Sequence, residues 1–371
     1  MGPLHTLLQL LIRLDGSDLL LTAGRSPALR IHGRLTPLEA VCPLDAPDLA
    51  PLCRPLDPTL LAQISHEMLD EQQRQRLHAG EEISTALELE DGNRFRCNVF
   101  LQRRTPALAI RAIPPQVPSC ADLGLPTALV DLVSRRCGLI LVAGPTGSGK
   151  STTLAALLDH RARHHASHIV TLEDPIEYHL PHHRSVVNQR EIGGDTQDLR
   201  QALHNALRQS PDVLMIGEIR TREALEHAIA FSDTGHLCLS TIHANRAAQS
   251  IERLINLYPE HQRRHLLLSL SLNLLGVVAQ QLVPARDGGR VAAFELLLNT
   301  PRIADLIHQG EIALIQEAME RGGAHGMQTL DQSLYNLYLQ GHITRETALE
   351  YAAAPRAMRL RLRLEGLSQA E

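Results

Sequence analysis

The chain has 371 residues, 44% of them hydrophobic and 21% charged, which is ordinary for a soluble globular protein and long enough for two domains. The formal net charge of −5 and an aromatic content of 2%, with no tryptophan, argue against nucleic acid as a partner. The six scattered cysteines form no C-x-x-C pair, which argues against a disulfide framework or a zinc knuckle.

The N-terminal stretch MGPLHTLLQLLIRLDGSD is apolar over a few turns. It has neither the basic n-region nor the small-residue cleavage site of a signal peptide. We therefore predict an amphipathic helix at the start of the chain, and a cytoplasmic protein.

Residues 91–113, DGNRFRCNVFLQRRTPALAIRAI, alternate between apolar and polar side chains, which predicts strands. A solvated sheet face is our interpretation of Arg103 and Arg104. The stretch that follows, IPPQVPSCADLGLP, is rich in proline and predicts an extended linker over residues 114–126 and a domain boundary there. The strands also carry Arg94, Arg96 and Arg111.

Residues 144–153, GPTGSGKSTT, fit the pattern G-x-x-x-x-G-K-[ST] and have the flanks that this pattern requires. The run CGLILVAG before them is typical of a buried strand, and leucines at helical spacing follow them. In this arrangement, backbone N–H groups and the helix N-terminus bind phosphate oxygens. We therefore predict a nucleoside triphosphate site in which Ser151 holds Mg²⁺. The predicted binding residues are Gly144, Pro145, Thr146, Gly147, Ser148, Gly149, Lys150, Ser151 and Thr152.

Lys150 is the only lysine among 36 basic residues, so all the others are arginine. An ammonium group is a compact charge on a flexible stem, and it can reach the β- and γ-phosphates through a narrow loop. The planar guanidinium fork is too broad for that role. The retention of this single lysine therefore supports the phosphate site.

Three further apolar runs predict strands: HIVTLEDPIEY (168–178), PDVLMIGEIR (211–220) and GHLCLSTIHAN (235–245). Helical patterns separate them, which predicts a doubly wound, mostly parallel sheet with ligands at the carboxyl ends of its strands. Those ends carry the predicted catalytic residues Glu173, Glu218 and His243.

Phosphoryl transfer needs a metal anchor and a group that orients the attacking water. We favour Glu218 as the Mg²⁺ residue, partly through water, and Glu173 as the residue that orients water, although the sequence does not separate the two roles. His243 ends a buried strand near the expected γ-phosphate, where an imidazole can report whether that phosphate is present.

Two stretches in the C-terminal part of the chain have patterns that fit more than one structure. Residues 266–283, LLLSLSLNLLGVVAQQLV, are about as long as a membrane span, but Asn273, Gln280 and Gln281 interrupt them, so we predict a buried helix. In the tail RLRLRLEG, arginines alternate with leucines, which indicates either a strand or extended docking segment, or a solvated end. Contact of this tail with anionic lipid or an acidic partner stays open.

Taken together, GPTGSGKSTT, TLEDPIEY, DVLMIGEIRTRE and TGHLCLSTIHANRA resemble the four motifs of the secretion ATPases of type II secretion and type IV pili, in order and at the family's spacing. Residues 16–35 resemble the PAS-like N-terminal domain of that family, and residues 326–344 resemble its C-terminal helical region. The resemblance implies an α/β fold with a RecA-like P-loop ATPase core. Its implied segments are a PAS-like α+β domain (1–113), a linker (114–126), the core (127–283) and a helical region (284–371).

Within that family, the chain has neither the long N-terminal extension nor the four-cysteine zinc insert of the assembly ATPases. It resembles the pilus retraction ATPases of the PilT/PilU group, and IGEIRTRE, TIHAN and the basic tail are more similar to PilU. Where the retraction branch has AIRNLI, this chain has RIADLI (302–307). Two functions therefore stay open: a motor for pilus retraction and twitching motility, or an accessory subunit that acts through a paralogous retraction ATPase.

The resemblance also implies ATP and Mg²⁺ as cofactors and a homo-hexamer at the cytoplasmic side of the inner membrane. Its further implied partners are a paralogous retraction ATPase and the inner-membrane pilus platform protein, with no nucleic acid. The family places the counterparts of Arg94, Arg96 and Arg111 toward the nucleotide from the N-terminal domain. Of these, we favour Arg96 and Arg111 as nucleotide-binding residues that act as arginine fingers do.

Overall fold

A computed structural model describes residues 2–31, 33–41, 49–113, 116–323 and 326–368. The chain divides into two compact units. The first comprises Met1–Gln116 with Pro175–His179, and the second comprises Val117–Asp174 with Leu180–Glu371. Cys42 and the first two residues of the predicted linker, 114 and 115, lie outside the described residues.

The first unit is an antiparallel sheet with helices packed on one face. Its strands are β1 (Gly16–Leu21), β2 (Ala28–Ile31), β3 (Arg34–Pro37), β4 (Ile83–Glu88), β5 (Arg94–Gln102) and β6 (Thr105–Ile113), in the order β3-β2-β1-β6-β5-β4. Its helices are α1 (Pro3–Arg13), α2 (Pro58–Met68) and α3 (Glu71–His78). Helix α1 buries five leucines, which confirms the predicted amphipathic helix. Strand β5 buries Phe95, Cys97 and Val99, so its arginines lie on the opposite face.

The second unit contains a largely parallel sheet of β7 (Gly138–Ala143), β8 (His168–Glu173), β9 (Val186–Glu191), β10 (Val213–Glu218), β11 (Leu237–Ile242), β12 (Leu274–Pro284) and β13 (Arg290–Leu298). The strand order is β13-β12-β7-β11-β10-β8-β9, and only the β12–β13 pair is antiparallel within the described sheet. Every residue of β7 and β11 is buried, because helices cover both faces. The strands predicted around the phosphate loop are confirmed.

Helices of the second unit surround this sheet and form its C-terminal part. They are α4 (Thr127–Val133), α5 (Lys150–His164), α6 (Leu199–Ala206), α7 (Arg222–Asp233), α8 (Ala247–Asn256), α9 (Arg263–Asn273), α10 (Pro301–Gln309), α11 (Ile315–Arg321), α12 (Leu330–Leu339), α13 (Arg345–Tyr351) and α14 (Pro355–Ser368). The main core lies between the sheet and helices α6 to α11. A smaller cluster joins Leu334, Tyr335, Met358 and Leu362 to the β12–β13 hairpin.

The predicted helix over residues 266–283 is wrong in its second half. Helix α9 ends at Asn273, and β12 begins at Leu274 and pairs with β7. A Cβ on Gly276 would lie 2.7 Å from the carbonyl oxygen of Leu297, so the close approach of β13 requires glycine there. In the part of the chain that the structure describes, no helix is both long and apolar enough to cross a membrane.

Two further expectations for the C-terminal part are corrected. The segment predicted as helical from residue 284 contains β13, because the turn after β12 returns the chain along the same sheet. The tail, for which a strand or extended segment and a solvated end both stayed open, is helix α14, because Met358 and Leu362, four residues apart, both pack into the small cluster. The alternation of arginine and leucine along the tail therefore does not report a strand.

Candidate active site

The phosphate loop connects β7 to α5, and its glycines have backbone conformations that other residues rarely adopt. Gly149 precedes α5 with φ of 87°. A Cβ on Gly144 would collide with the Ser148 hydroxyl and would lie 2.7 Å from the carbonyl oxygen of Gln280. The tip of the loop, Pro145–Gly147, is exposed, whereas Ser148 is buried. The predicted phosphate-binding residues thus form one continuous loop at the carboxyl end of β7.

Lys150 is the first residue of α5, and its ammonium group folds back over the loop. Its Nζ donates hydrogen bonds of 3.0 Å to the carbonyl oxygens of Gly144 and Pro145. The positive charge therefore lies against the loop whose backbone N–H groups are predicted to bind phosphate. Ser151 follows on the first turn of the helix, as the motif requires of a magnesium residue.

Gln280 of β12 fixes this loop from behind, and its side chain is only 3% exposed. Its amide Nε2 donates to the carbonyl oxygen of Ser148, and its Oε1 accepts a 2.7 Å hydrogen bond from the Thr153 hydroxyl on α5. One buried amide thus connects the phosphate loop to the first turn of the helix. The sequence analysis missed this role, although Gln280 was visible as a polar interruption of an apolar run.

The predicted acids and the histidine lie on neighbouring strands of the same sheet. Glu173 ends β8, Glu218 ends β10, and His243 directly follows β11. The pairing of β10 with β11 shifts register at Gly217, and this irregularity changes the direction of the following side chain, Glu218. The structure therefore brings all three residues to the edge of the sheet that carries the phosphate loop.

Glu218 is held between two nitrogen groups. Its Oε2 accepts a 2.7 Å hydrogen bond from Nε of Arg220, and its Oε1 lies 3.3 Å from Nε2 of His243. Burial lowers the pKa of His243 below its ordinary value of 6.5. The charge of Lys150 lowers that pKa further, against the raising effect of Glu218. The lowered pKa favours the uncharged imidazole at neutral pH, with its Nε2 close to Glu218.

Glu173 has a different setting. Its Oε1 accepts hydrogen bonds from the Thr171 hydroxyl at 2.7 Å and from Nε2 of Gln189 at 3.0 Å. Since strands lie about 4.8 Å apart, β10 is roughly 10 Å from β7 and β8 roughly 14 Å from it. Glu218 is thus the acid nearer to the phosphate loop, and Glu173 lies one strand farther away.

An open cavity of about 590 Å³ lies beside the loop tip. Pro145 and Thr146 line one side of it, and His243 and the α8 residue Arg253 line the other. The charge of Arg253 also lowers the pKa of His243. This volume falls in the range of small-molecule sites. No pattern in the sequence singled out Arg253, because the position of α8 beside the loop becomes visible only in the fold.

The arginines predicted to act as fingers form a row on the exposed face of the sheet in the first unit. Arg96 and Arg111 are directly opposite each other on β5 and β6. Nε of Arg111 donates to Asp18 at 2.9 Å, Arg96 lies 3.9 Å from Glu177, and Arg94 pairs with Glu88. The structure thus brings Arg96 and Arg111 together, and their orientation toward a nucleotide stays a prediction.

Comparisons with known proteins agree with this geometry. The family described as type II/IV secretion system protein matches residues 59–288. The type IV pilus ATPase PilU of Pseudomonas aeruginosa is 43% identical over 98% of this chain and 92% of that protein. The chain belongs to the type II/IV secretion system protein family. The type IV pilus retraction ATPase PilT of the same bacterium is 36% identical over 91% of this chain and 95% of its own length.

A solved structure of this family shows the same fold. The crystal structure of the pilus retraction motor PilT with bound ADP superposes with a TM-score of 0.84 at 38% identity, covering 95% of this chain and 97% of that one. The resemblance to the PilT/PilU group and the predicted fold class are therefore confirmed. The roles of individual site residues stay predictions.

We expect the substitution Gln280→Leu to loosen the phosphate loop. The Ser148 carbonyl and the Thr153 hydroxyl would lose their buried partner, so the free energy of unfolding should fall by about 1–3 kcal/mol. The KM for ATP should rise roughly tenfold, because the loop loses its fixed shape. Thr153→Val is the matched control, since it breaks only the helix end of the connection. A KM for ATP equal to that of the wild type in Gln280→Leu, despite its lower stability, would assign Gln280 a purely structural role.

We expect His243 to make stability depend on pH. Its pKa is lower in the folded state than in the unfolded state, so the unfolded chain binds more protons below pH 6.5. The stability of the wild type should therefore fall relative to His243→Gln as the pH drops below that value. The urea midpoints of both proteins, measured from neutral pH to below pH 6.5, test the expectation. Taking the difference between the two midpoints removes the contribution of the other histidines. A difference that does not change with pH would contradict it.

Proposed function

We propose that this protein is an ATP-hydrolysing motor that drives the retraction of type IV pili and twitching motility. One observation carries the proposal: an intact phosphate loop with two acids at adjacent strand ends, in a chain 43% identical to PilU over 98% of its length. The relatives are described as a pilus ATPase and a retraction ATPase, and we extend those descriptions to this chain.

In this proposal the loop residues 144–152 bind the triphosphate of ATP. The geometry fits that ligand, because the loop tip Pro145–Gly147 is exposed and the ammonium group of Lys150 lies against the loop. The Ser151 hydroxyl and the Glu218 carboxylate are oxygen donors of the kind that Mg²⁺ takes, with Glu218 partly through water. Bound Mg²⁺ would neutralise charge on the β- and γ-phosphates.

The remaining roles follow from the strand order. Glu173 lies one strand farther from the loop than Glu218, so we assign Glu218 to the metal and Glu173 to the attacking water beyond the γ-phosphate. The hydrogen bonds from Thr171 and Gln189 hold this carboxylate in place, and in this role it would accept a proton from the water. His243 lies 3.3 Å from Glu218 and lines the adjacent cavity, so we propose that this contact responds to the presence of the γ-phosphate.

We further propose that Arg96 and Arg111 neutralise phosphate charge when the subunits of a homo-hexamer close on ATP. The row of arginines carries more positive than negative charge, since Arg30 and Arg111 share the single carboxylate of Asp18. A phosphate would compete for these guanidinium groups through the same charge-assisted hydrogen bonds. Opening and closing at the predicted linker, residues 114–126, would then turn hydrolysis into force.

An accessory role is the second candidate. The segment RIADLI lies in helix α10, where Arg302 pairs with Asp305 at 3.3 Å. It stands where the retraction branch has AIRNLI. As an accessory subunit, the protein would associate with a paralogous retraction ATPase. In both cases we propose that it is a cytoplasmic protein, peripheral at the inner membrane, that engages the pilus platform protein and not nucleic acid.

We expect Lys150→Ala to lower ATP turnover at least about 100-fold, because the charge above the phosphates is lost. Lys150→Arg should fail similarly, since the guanidinium fork does not fit the loop. Phosphate release by the purified chain measures both, and the exposed Arg208→Ala is the control. Turnover by the chain alone supports the motor. Turnover that appears only with a paralogous ATPase supports the accessory role, and unchanged turnover in both lysine variants would refute the site.

We expect the double variant Arg96→Gln/Arg111→Gln to lower turnover about 100-fold or more, as loss of an arginine finger does. ATP binding should persist, because the phosphate loop belongs to the other unit. The matched control is Arg103→Gln/Arg104→Gln, which removes the same charge from the turn between β5 and β6. Equal effects of the two double variants would mean that overall charge, and not the position of Arg96 and Arg111, matters.

A further inference from the structure

Helix α14 differs from several other surface helices in the pairing of its arginines. On α7, α10 and α11, exposed arginines pair with acids one turn away: Arg222–Glu226, Arg302–Asp305 and Arg321–Glu317. The first ten residues of α14, PRAMRLRLRL, hold four arginines and no acid. In the part of the chain that the structure describes, none of these four arginines has a carboxylate within ion-pair distance.

The arginines and leucines of α14 divide by helical position. Met358 and Leu362 are buried and attach the helix to the protein, and the guanidinium of Arg361 stacks 3.8 Å from the ring centre of Tyr335. Leu360 and Leu364 lie four residues apart on the opposite side and are 61% and 60% exposed. A basic stripe runs alongside these leucines at spacings of three and four: Arg356, Arg359 and Arg363.

We propose that this face of α14 docks on an anionic lipid surface. Leu360 and Leu364 would enter the boundary between headgroups and acyl chains, and the flanking arginines would extend to the phosphate groups. The charge is complementary to anionic lipid, although the whole chain is acidic.

The shape of the face favours a bilayer over a folded partner. Eight of the ten residues Pro355–Leu364 are exposed, so the helix forms a convex ridge. A ridge can lie along a flat surface, whereas an acidic protein would have to enclose it in a groove. The proposal does not depend on hydrolysis, because α14 contributes nothing to the phosphate site.

Vesicle flotation of the full chain tests the proposal. We expect binding to vesicles of phosphatidylglycerol mixed with phosphatidylcholine, little binding to pure phosphatidylcholine, and weaker binding in raised salt. Leu360→Gln/Leu364→Gln and Arg356→Gln/Arg359→Gln/Arg363→Gln should each lower the affinity about tenfold or more. Glutamine keeps helix propensity, so α14 should remain folded, and circular dichroism and ATP hydrolysis check this.

Matched controls carry the same changes elsewhere: Leu207→Gln/Leu272→Gln, and Arg200→Gln/Arg302→Gln/Arg321→Gln, all at exposed positions. These should bind vesicles as the wild type does, and so should Lys150→Ala, which separates this proposal from the proposed ATPase. Absence of wild-type binding would overturn the proposal. The proposal would also be overturned if the arginine variant lost binding while the leucine variant kept it. Charge attraction to any polyanion would then explain the binding without insertion of the leucines.

Discussion

The buried amide of Gln280 is the contact on which the geometry of the phosphate loop depends. The loop has conformations that only glycine adopts readily, and such a loop is free to move unless its backbone is held. Gln280 holds the Ser148 carbonyl and the Thr153 hydroxyl at once. Its own carbonyl oxygen lies where a side chain at Gly144 would be. These contacts keep the loop backbone in one shape relative to the first turn of α5.

The parallel sheet then determines what can meet that loop. The carboxyl ends of β7, β11, β10 and β8 lie side by side, so the distance of a residue from the phosphate loop is set by how many strands separate it from β7. His243 is one strand away, Glu218 two and Glu173 three.

Much of this site could be predicted from the sequence, because it consists of short motifs attached to strand ends. The glycine loop, both acids and the histidine needed only local patterns and the rule for parallel strands. Gln280 could not be assigned, since its partners are more than a hundred residues away along the chain. The same limit explains the errors at β12 and α14. The apolar run did not show that β13 approaches closely at Gly276, and the alternation in the tail did not show that Met358 and Leu362 pack together.

The chain passes between its two units at three points, because Pro175–His179 belongs to the first unit while the residues on either side belong to the second. Ile176 and Tyr178 of this short segment are buried. A fragment beginning at residue 117 would thus expose apolar side chains only a few residues from Glu173. A single cut in the chain therefore cannot separate the two units, because the segment Pro175–His179, which closely follows Glu173, belongs with the N-terminal sheet.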